Sequence, residues 1–210
     1  MAASVKVAPE GGRKHQYVAR NREAIIKATQ MALIKWGPEV TVEQIATESN
    51  MALSTLYKHF ASKEELCLIA VQSAFADWEA WKDEKLSSTT DPMSHLVFAM
   101  RLFVRVRTTH PEYGQMIIRN SGLIAQMLPH FTNQIGAEVK ALIKSGTLKM
   151  DNPTARVLNL TAVLYAILQQ QLLSPKPSPA QADESIQIAL TMFAIPEKIS
   201  AKLMAEKLPI

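Results

Sequence analysis

One cysteine, Cys67, is all the thiol chemistry in this chain of 210 residues. A lone thiol cannot close an intrachain disulfide, and a metal cluster built on several thiolates is excluded, so a reducing compartment is the natural setting. Long apolar runs are missing too. Nothing approaches the roughly 18 residues of a membrane span, and the opening MAASVKVAPEGG holds no apolar stretch of signal-peptide length. The expectation is a soluble, cytoplasmic protein with no membrane partner. Aromatic residues are scarce, at 6%, while Leu, Ile, Ala and Met abound, a balance that favours helices over a β-sandwich. A Gly-rich phosphate loop, a nucleophile elbow, an H-E-x-x-H pair and a cofactor fingerprint are all absent. These gaps argue against an enzyme: no catalytic residue, metal site or cofactor is expected, and Cys67, inside a helical apolar pattern, reads as packing.

What is present begins with charge. The net charge is +4, and residues 1–27 hold six basic side chains (Lys6, Arg13, Lys14, Arg20, Arg22, Lys27) against Glu10 and Glu23. From residue 28 onward, 17 basic and 17 acidic side chains cancel, so the excess sits wholly at one end. A basic head on a balanced body is either a solvated tail or an electrostatic footprint for nucleic acid.

The apolar period divides the chain further. Residues 1–20, with two glycines and a proline and no apolar repeat, read as a flexible basic arm. From Asn21 the residues Ala24, Ile25, Ala28, Met31, Ala32 and Trp36 recur at helical steps until Gly37-Pro38. Thr41-Val42-Glu43-Gln44 is a capping box that opens a short second helix, which ends near Ser49-Asn50. A third covers Ala52 to His59, and Ser62-Lys63-Glu64-Glu65 is a second capping box that opens a long fourth helix, to about residue 85. Asp91-Pro92 caps a helix that is apolar almost all round and runs to His110-Pro111. Helical pattern resumes over Met116 to Met127, Pro129 to Lys144 and Pro153 to about residue 173. After the linker SPKPSP come a helix from about Asp183 to Ala194 and a terminal one after Pro196. The expectation is an all-α chain of about ten helices: an arm at 1–20, a three-helix helix-turn-helix domain at 21–66 and a larger helical domain at 67–210.

The segment TVEQIATESNMALSTLYKHFASKEEL carries the chemistry. Its third helix is long enough to put its first turns into a major groove about 12 Å wide. Ala52, Leu53 and Ser54 stand where base edges are met, through thymine methyls and one hydroxyl, and Thr55, Tyr57, Lys58 and His59 suit phosphate oxygens. Thr41 and Lys63 sit at helix N-termini, where free amides and the helix dipole favour a phosphate. Packing is the alternative for Tyr57 and above all for Phe60, and His59 can equally be surface filler.

These residues resemble the TetR family of ligand-responsive repressors. The likeness lies in Thr55-Leu56-Tyr57-Lys58-His59-Phe60 followed by Ser62-Lys63-Glu64-Glu65-Leu66, after a capped second helix, over about residues 21 to 67. It implies phosphate contacts at Thr55, Tyr57 and Lys63, a minor-groove role for the arm, and a C-terminal ligand and dimerisation domain. Two positions depart from the family pattern. Asn50 replaces the turn glycine, and Ala52 replaces the cap of the reading helix, which removes a contact worth about 0.5–2 kcal/mol. Leu53 follows, so reading leans on methyl contacts, DNA shape and phosphates.

In the larger domain Arg101 and Arg105 lie one turn apart on an apolar helix. They either reach solvent, pair with a carboxylate such as Glu112 or Glu138, or bind an anionic effector. Trp78, Phe98, Arg101, Arg105, Tyr113 and Met116 are the candidate effector residues, with Trp81, Phe103, Ile117, Met127 and Phe131 as further apolar lining; ordinary core is the alternative for each. The helices at 153–173 and after the proline linker suit a two-fold, four-helix homodimer interface, which would set two reading helices on a pseudopalindromic operator. The function expected is a dimeric, sequence-specific repressor released from double-stranded DNA by a small-molecule effector. The alternatives are a constitutive DNA-binding regulator without a ligand and a helical protein-interaction module.

Overall fold

The computed structural model describes residues 10–193 and 195–210, with side chains from residue 15 onward. Every regular element among the described residues is helical, twelve α-helices and two 3-10 turns, so the all-α expectation holds. The chain divides into two compact units, one ending at Ser73 and the other spanning Ala74–Ile210.

The first unit contains α1 (Glu10–Trp36), a 3-10 turn (Gly37–Glu39), α2 (Val42–Ser49), α3 (Leu53–His59) and the first part of α4 (Lys63–Leu86). The first helix starts at Glu10 rather than near Asn21, so the later part of the expected arm is helical; residues 1–9 lie outside the described residues. Periodicity missed this stretch because residues 15–20 are all exposed, and a helix that buries no face leaves no apolar repeat to read. From Ile25 the buried face is continuous through Ala28, Ala32 and Leu33, packed with Val40, Ile45, Leu56, Phe60 and Leu66. Two polar residues inside this core are satisfied: Thr29 donates to the Ile25 carbonyl at 2.8 Å, and the Gln30 amide to the Ala70 carbonyl at 3.0 Å. Gly37, buried at φ 68°, turns the chain out of α1 through a conformation that a Cβ would strain.

The second unit holds the rest of α4, then α5 (Pro92–Phe103), α6 (Val106–Thr109), α7 (Pro111–Arg119), α8 (Ser121–Ala125), α9 (Leu128–Lys144), α10 (Pro153–Leu173), α11 (Pro179–Leu190), a 3-10 turn (Thr191–Phe193) and α12 (Glu197–Ala205). Its core joins Leu96, Val97 and Met100 of α5 to Leu160 and Leu164 of α10, Ile186 of α11 and Phe193.

Three boundaries differ from the sequence reading. The helix expected from Pro92 to His110 breaks after Phe103, where the Arg105 amide turns to Leu102 O at 3.0 Å and the Arg105 guanidinium takes the Arg101 carbonyl at 2.9 Å. A side chain thus occupies the acceptor that the next α-helical bond would use. The helix expected from about Asp183 begins four residues earlier, at Pro179, because Ser178 accepts the Gln181 amide as an N-cap and Pro179 takes the first helical position. The segment expected from Met116 to Met127 is two short helices that meet at Asn120.

Arg101 of α5 and Arg105, just beyond its end, pair with Asp183, not with Glu112 or Glu138. Arg101 meets the Asp183 carboxylate through both Nε (3.1 Å) and Nη2 (3.0 Å), and Arg105 Nη2 reaches the same group at 2.7 Å. Arg101 Nη1 then donates to the carbonyls of Leu203 and Glu206 at 3.0 and 2.8 Å, at the C-terminal end of α12 where the helix dipole favours a cation. Arg107 does the same for α10, donating to Gln171, Leu172 and Ser174 carbonyls.

Candidate nucleic-acid interface and effector cavity

The head is held by local hydrogen bonds that can be read from its sequence. Thr41 Oγ1 accepts the Gln44 amide at 3.2 Å while Gln44 Oε1 accepts the Thr41 amide at 2.8 Å, a complete capping box. At the other end of α2 the Asn50 and Met51 amides return to Thr47 and Ala46 carbonyls at 3.1 and 3.0 Å, and Asn50 stands at φ 53°, a left-handed Schellman close that asparagine accepts in place of glycine. The cap of α4 departs from the expected box: Ser62 Oγ accepts the Glu65 amide, but the Glu65 carboxylate reaches back to the Ala61 amide at 2.7 Å, one residue further. Ala52 caps α3 with no side-chain bond.

Between these ends α3 is anchored on one side only. Leu56 and Phe60 are buried, with the Arg22 guanidinium 4.8 Å from the Phe60 ring centre. On the opposite side Leu53, Ser54, Tyr57 and Lys58, spaced i, i+1, i+4 and i+5, are exposed. Leu53 at 38% and Tyr57 at 57% exposure leave much apolar surface in water on a seven-residue helix. Ala52 and Leu53 also edge an open groove with Asn50, Met51 and Thr47. Thr55, His59 and Lys63 are half-buried at the flanks, and Thr41 is exposed. Neither Lys58 nor Lys63 has a carboxylate partner among the described residues.

In the second unit, four helices line a partly open cavity of about 70 Å³. Trp78 and Lys82 come from α4, Met100 and Phe103 from α5, Phe131 and Gln134 from α9, and Thr161 and Tyr165 from α10. The rings pack edge to face, Trp78 on Phe103 at 5.9 Å and Phe103 on Phe131 at 5.5 Å. Trp78 is 6% exposed, and its indole N–H has no hydrogen-bond partner. Cys67, by contrast, is inert: burial pushes its thiol up to about 11. Among the described residues no group of three or more His, Cys, Asp or Glu is placed to hold a metal, and no helix is long and apolar enough to cross a membrane.

Residues 25–68 match the model of bacterial regulatory proteins of the tetR family. That match covers the N-terminal segment of this chain, which is similar to the tetR family. No curated protein sequence matches it. Solved structures do, with TetR architecture. RolR in complex with resorcinol superposes with a TM-score of 0.73 at 16% identity, over 93% of this chain and 98% of RolR. The fatty acid degradation regulator FadR from Bacillus halodurans gives 0.65 at 14% identity, over 80% and 97%. A TetR-family regulator from Rhodococcus sp. gives 0.67 at 17% identity, over 84% and 100%. At such identities these likenesses speak for the fold alone.

The exposed face of α3 lies inside the segment that matches this family model. The candidate effector residues are scattered by comparison. Trp78 lines the cavity. Tyr113 and Met116 border a separate void of about 10 Å³ on which Trp78 also abuts. Phe98 is buried beside Arg101, with the guanidinium 5.8 Å from its ring centre, and none of Phe98, Arg101 and Arg105 is among the cavity's lining residues. Sequence reasoning passed over Gln134, Thr161 and Tyr165. A signal existed: Phe131, Gln134, Ile135 and Glu138 step by three and four along α9, and a glutamine inside an apolar stripe marks a place where the stripe faces something other than core.

Proposed function

We propose that this chain is a TetR-family homodimeric repressor that holds a pseudopalindromic operator in the cytoplasm and leaves it when a small molecule enters the cavity beside Trp78. The observation that carries the reading is the outer face of α3, where Leu53, Ser54, Tyr57 and Lys58 are all exposed while Leu56 and Phe60 alone anchor the helix. In this reading Ala52, Leu53 and Ser54 meet base edges, and Thr55, Tyr57, Lys58, His59, Thr41 and Lys63 hold phosphates. Residues 21–66 form the reading head, residues 67–210 the effector and dimerisation body, and the residues ahead of Asn21 reach along the duplex.

Dimerisation is supported by large apolar side chains left in water on two helices, Leu158 and Leu173 of α10 at 59% and 66% exposure and Ile188 of α11 at 66%. Two copies related by a two-fold axis would cover them in a four-helix interface and place two α3 helices about 34–36 Å apart, or at another helical-turn spacing. A ligand role for the cavity is supported by its aromatic walls, and RolR, of similar fold, was solved with resorcinol bound. Release follows from α4, which runs unbroken from Lys63 in the head to Trp78 at the cavity. A ligand that binds the released state a few kcal/mol more tightly empties the operator.

The test is selection of duplexes from a random library by the purified full-length protein, with affinities then measured across a salt series. An enriched inverted repeat and a steep salt slope are expected. No enriched sequence would refute sequence-specific reading. An enriched single half-site bound by a monomer would refute the dimer.

A further inference from the structure

The outer face of α3 lacks the side chains that read purines, and what it carries instead suits a smaller target. We infer that this face reads the 5-methyl group of a pyrimidine, and that thymine and 5-methylcytosine serve it alike. This rests on the DNA-reading role proposed above for α3 and names the base that the role requires.

Absence comes first. The helix is Leu-Ser-Thr-Leu-Tyr-Lys-His, without the arginine, asparagine or glutamine that grips guanine or adenine through two hydrogen bonds. Long polar side chains of the neighbouring helices are held elsewhere. Gln44 Oε1 accepts the Thr41 amide at 2.8 Å, and the Arg22 guanidinium lies 4.8 Å from the Phe60 ring centre. The Thr47 hydroxyl donates to the Glu43 carbonyl at 2.9 Å. Lys58 is the cation of the exposed face, but it stands five residues past Leu53, about 7.5 Å further along the helix axis.

What the face does present is apolar. Ala52 is exposed, Leu53 is 38% exposed, and Tyr57, one turn on, is 57% exposed. Met51 and Ala46 continue this surface along the open groove that Leu53 borders. Among the groups that base edges show in the major groove, the C5-methyl is the one that gains by meeting such a surface. Covering it takes apolar area of both partners out of water, whereas the bare ring carbon of uracil or cytosine leaves the same space unfilled.

The polar neighbours decide how wide the reading is. Beside the methyl, thymine carries the O4 acceptor, and 5-methylcytosine carries the N4 amine of cytosine, a donor. The Ser54 hydroxyl, exposed and bonded to no described residue, can donate or accept. So can the amide of Asn50, which borders the groove. Glu43, on the same groove, only accepts. Among the described residues no donor-only side chain lines the groove to turn the amine away. Both bases are therefore met, and methylation of a cytosine at this position raises affinity.

The experiment uses the full-length protein and the half-site that it enriches from a random duplex library. Each thymine is replaced in turn by uracil, which removes the methyl and nothing else, and the same positions are filled with cytosine and with 5-methylcytosine, each paired with guanine. At one position of the half-site uracil should weaken binding about fourfold, the transfer of one methyl group. There, 5-methylcytosine should exceed cytosine by a similar factor. Leu53→Ala trims an exposed side chain, so the fold is kept, as circular dichroism will verify, and both factors should vanish in it. Uracil that equals thymine at every position overturns the inference, as does a methyl effect that Leu53→Ala leaves unchanged. A uracil penalty without a gain from 5-methylcytosine overturns the equivalence of the two bases. Should Leu53→Ala bind too weakly to measure, the two factors in the natural chain still decide. Failure of the wider reading looks different: without any enriched half-site the DNA-reading role falls and this inference with it, whereas an enriched half-site indifferent to methyl groups refutes the base class and leaves the regulator standing.

Discussion

On α3, Lys58 stands exposed with no carboxylate among the described residues to meet it, whereas on α5 Arg101 is 5% exposed and shares Asp183 with Arg105. The outer face of α3 leaves positive charge to water, and the arginine cluster at the end of α5 encloses it. A cation that is to meet a phosphate must reach the encounter without an internal competitor, since an existing ion pair would have to be broken first. A cation that ties helices together must never be released, because a buried guanidinium without its partner is one of the more costly things a fold can contain. Substitutions in the two units should therefore separate cleanly, into those that change stability and those that change affinity for DNA.

The largest effect belongs to the body. Asp183→Ala leaves two guanidinium groups around an empty position and is expected to lower stability by about 3–5 kcal/mol, read from chemical denaturation. A loss below about 1 kcal/mol would mean that water screens the cluster and that the contrast with the head is one of geometry only. In the head, Lys58→Ala is expected to weaken operator binding across all sequences and to reduce the salt slope by about one, with stability changed by less than about 0.5 kcal/mol. An unchanged slope would remove Lys58 from the phosphate contacts. Smaller still is the cap: Thr41→Ala should cost about 1 kcal/mol, and Thr41→Ser should keep most of it, because the serine hydroxyl can accept the same Gln44 amide. If Thr41→Ser keeps stability but weakens DNA binding, the threonine methyl has a role at the backbone beyond capping.

The same contrast explains what could be read without coordinates. Legible features were local: the capping box at Thr41 depends on residues three apart, and the left-handed close at Asn50 on a single residue type. The face of α3 followed from the spacing of Leu56 and Phe60 against Leu53, Ser54, Tyr57 and Lys58. What escaped was set by distant partners or by the lack of any. Asp183 lies 82 residues from Arg101, and nothing in the neighbourhood of either names the other; Glu112 and Glu138 looked as suitable by residue type. Ser178-Pro179 reads as the end of a linker until the Gln181 amide is seen to close on the serine. Of the effector candidates Trp78 lines the cavity, as an aromatic with a polar tip on an inward face of α4. Phe98 sits on the same helix as Phe103 but points elsewhere, and which of the two faces the cavity depends on how α5 packs against α9 and α10.

The smallest effect tests whether the body's enclosed polar groups extend to one that titrates. His110 stacks on Tyr113, with ring centres 5.4 Å apart and planes within 8°, and meets the edge of Trp81 at 4.6 Å. Its Nδ1 lies 3.0 Å from Thr109 Oγ1, but no carboxylate is paired with it among the described residues, and burial holds its pKa below the ordinary value of 6.5. In the unfolded chain this imidazole takes up its proton near 6.5, so between that value and the lower folded one the unfolded state binds more protons. Stability is thus complete above about pH 6.5 and declines as the pH falls through the folded pKa. His110→Phe keeps the stacked ring and removes the titration, so its melting temperature should fall less than that of the natural chain between about pH 7 and pH 5. An equal fall in both would place the acid sensitivity elsewhere.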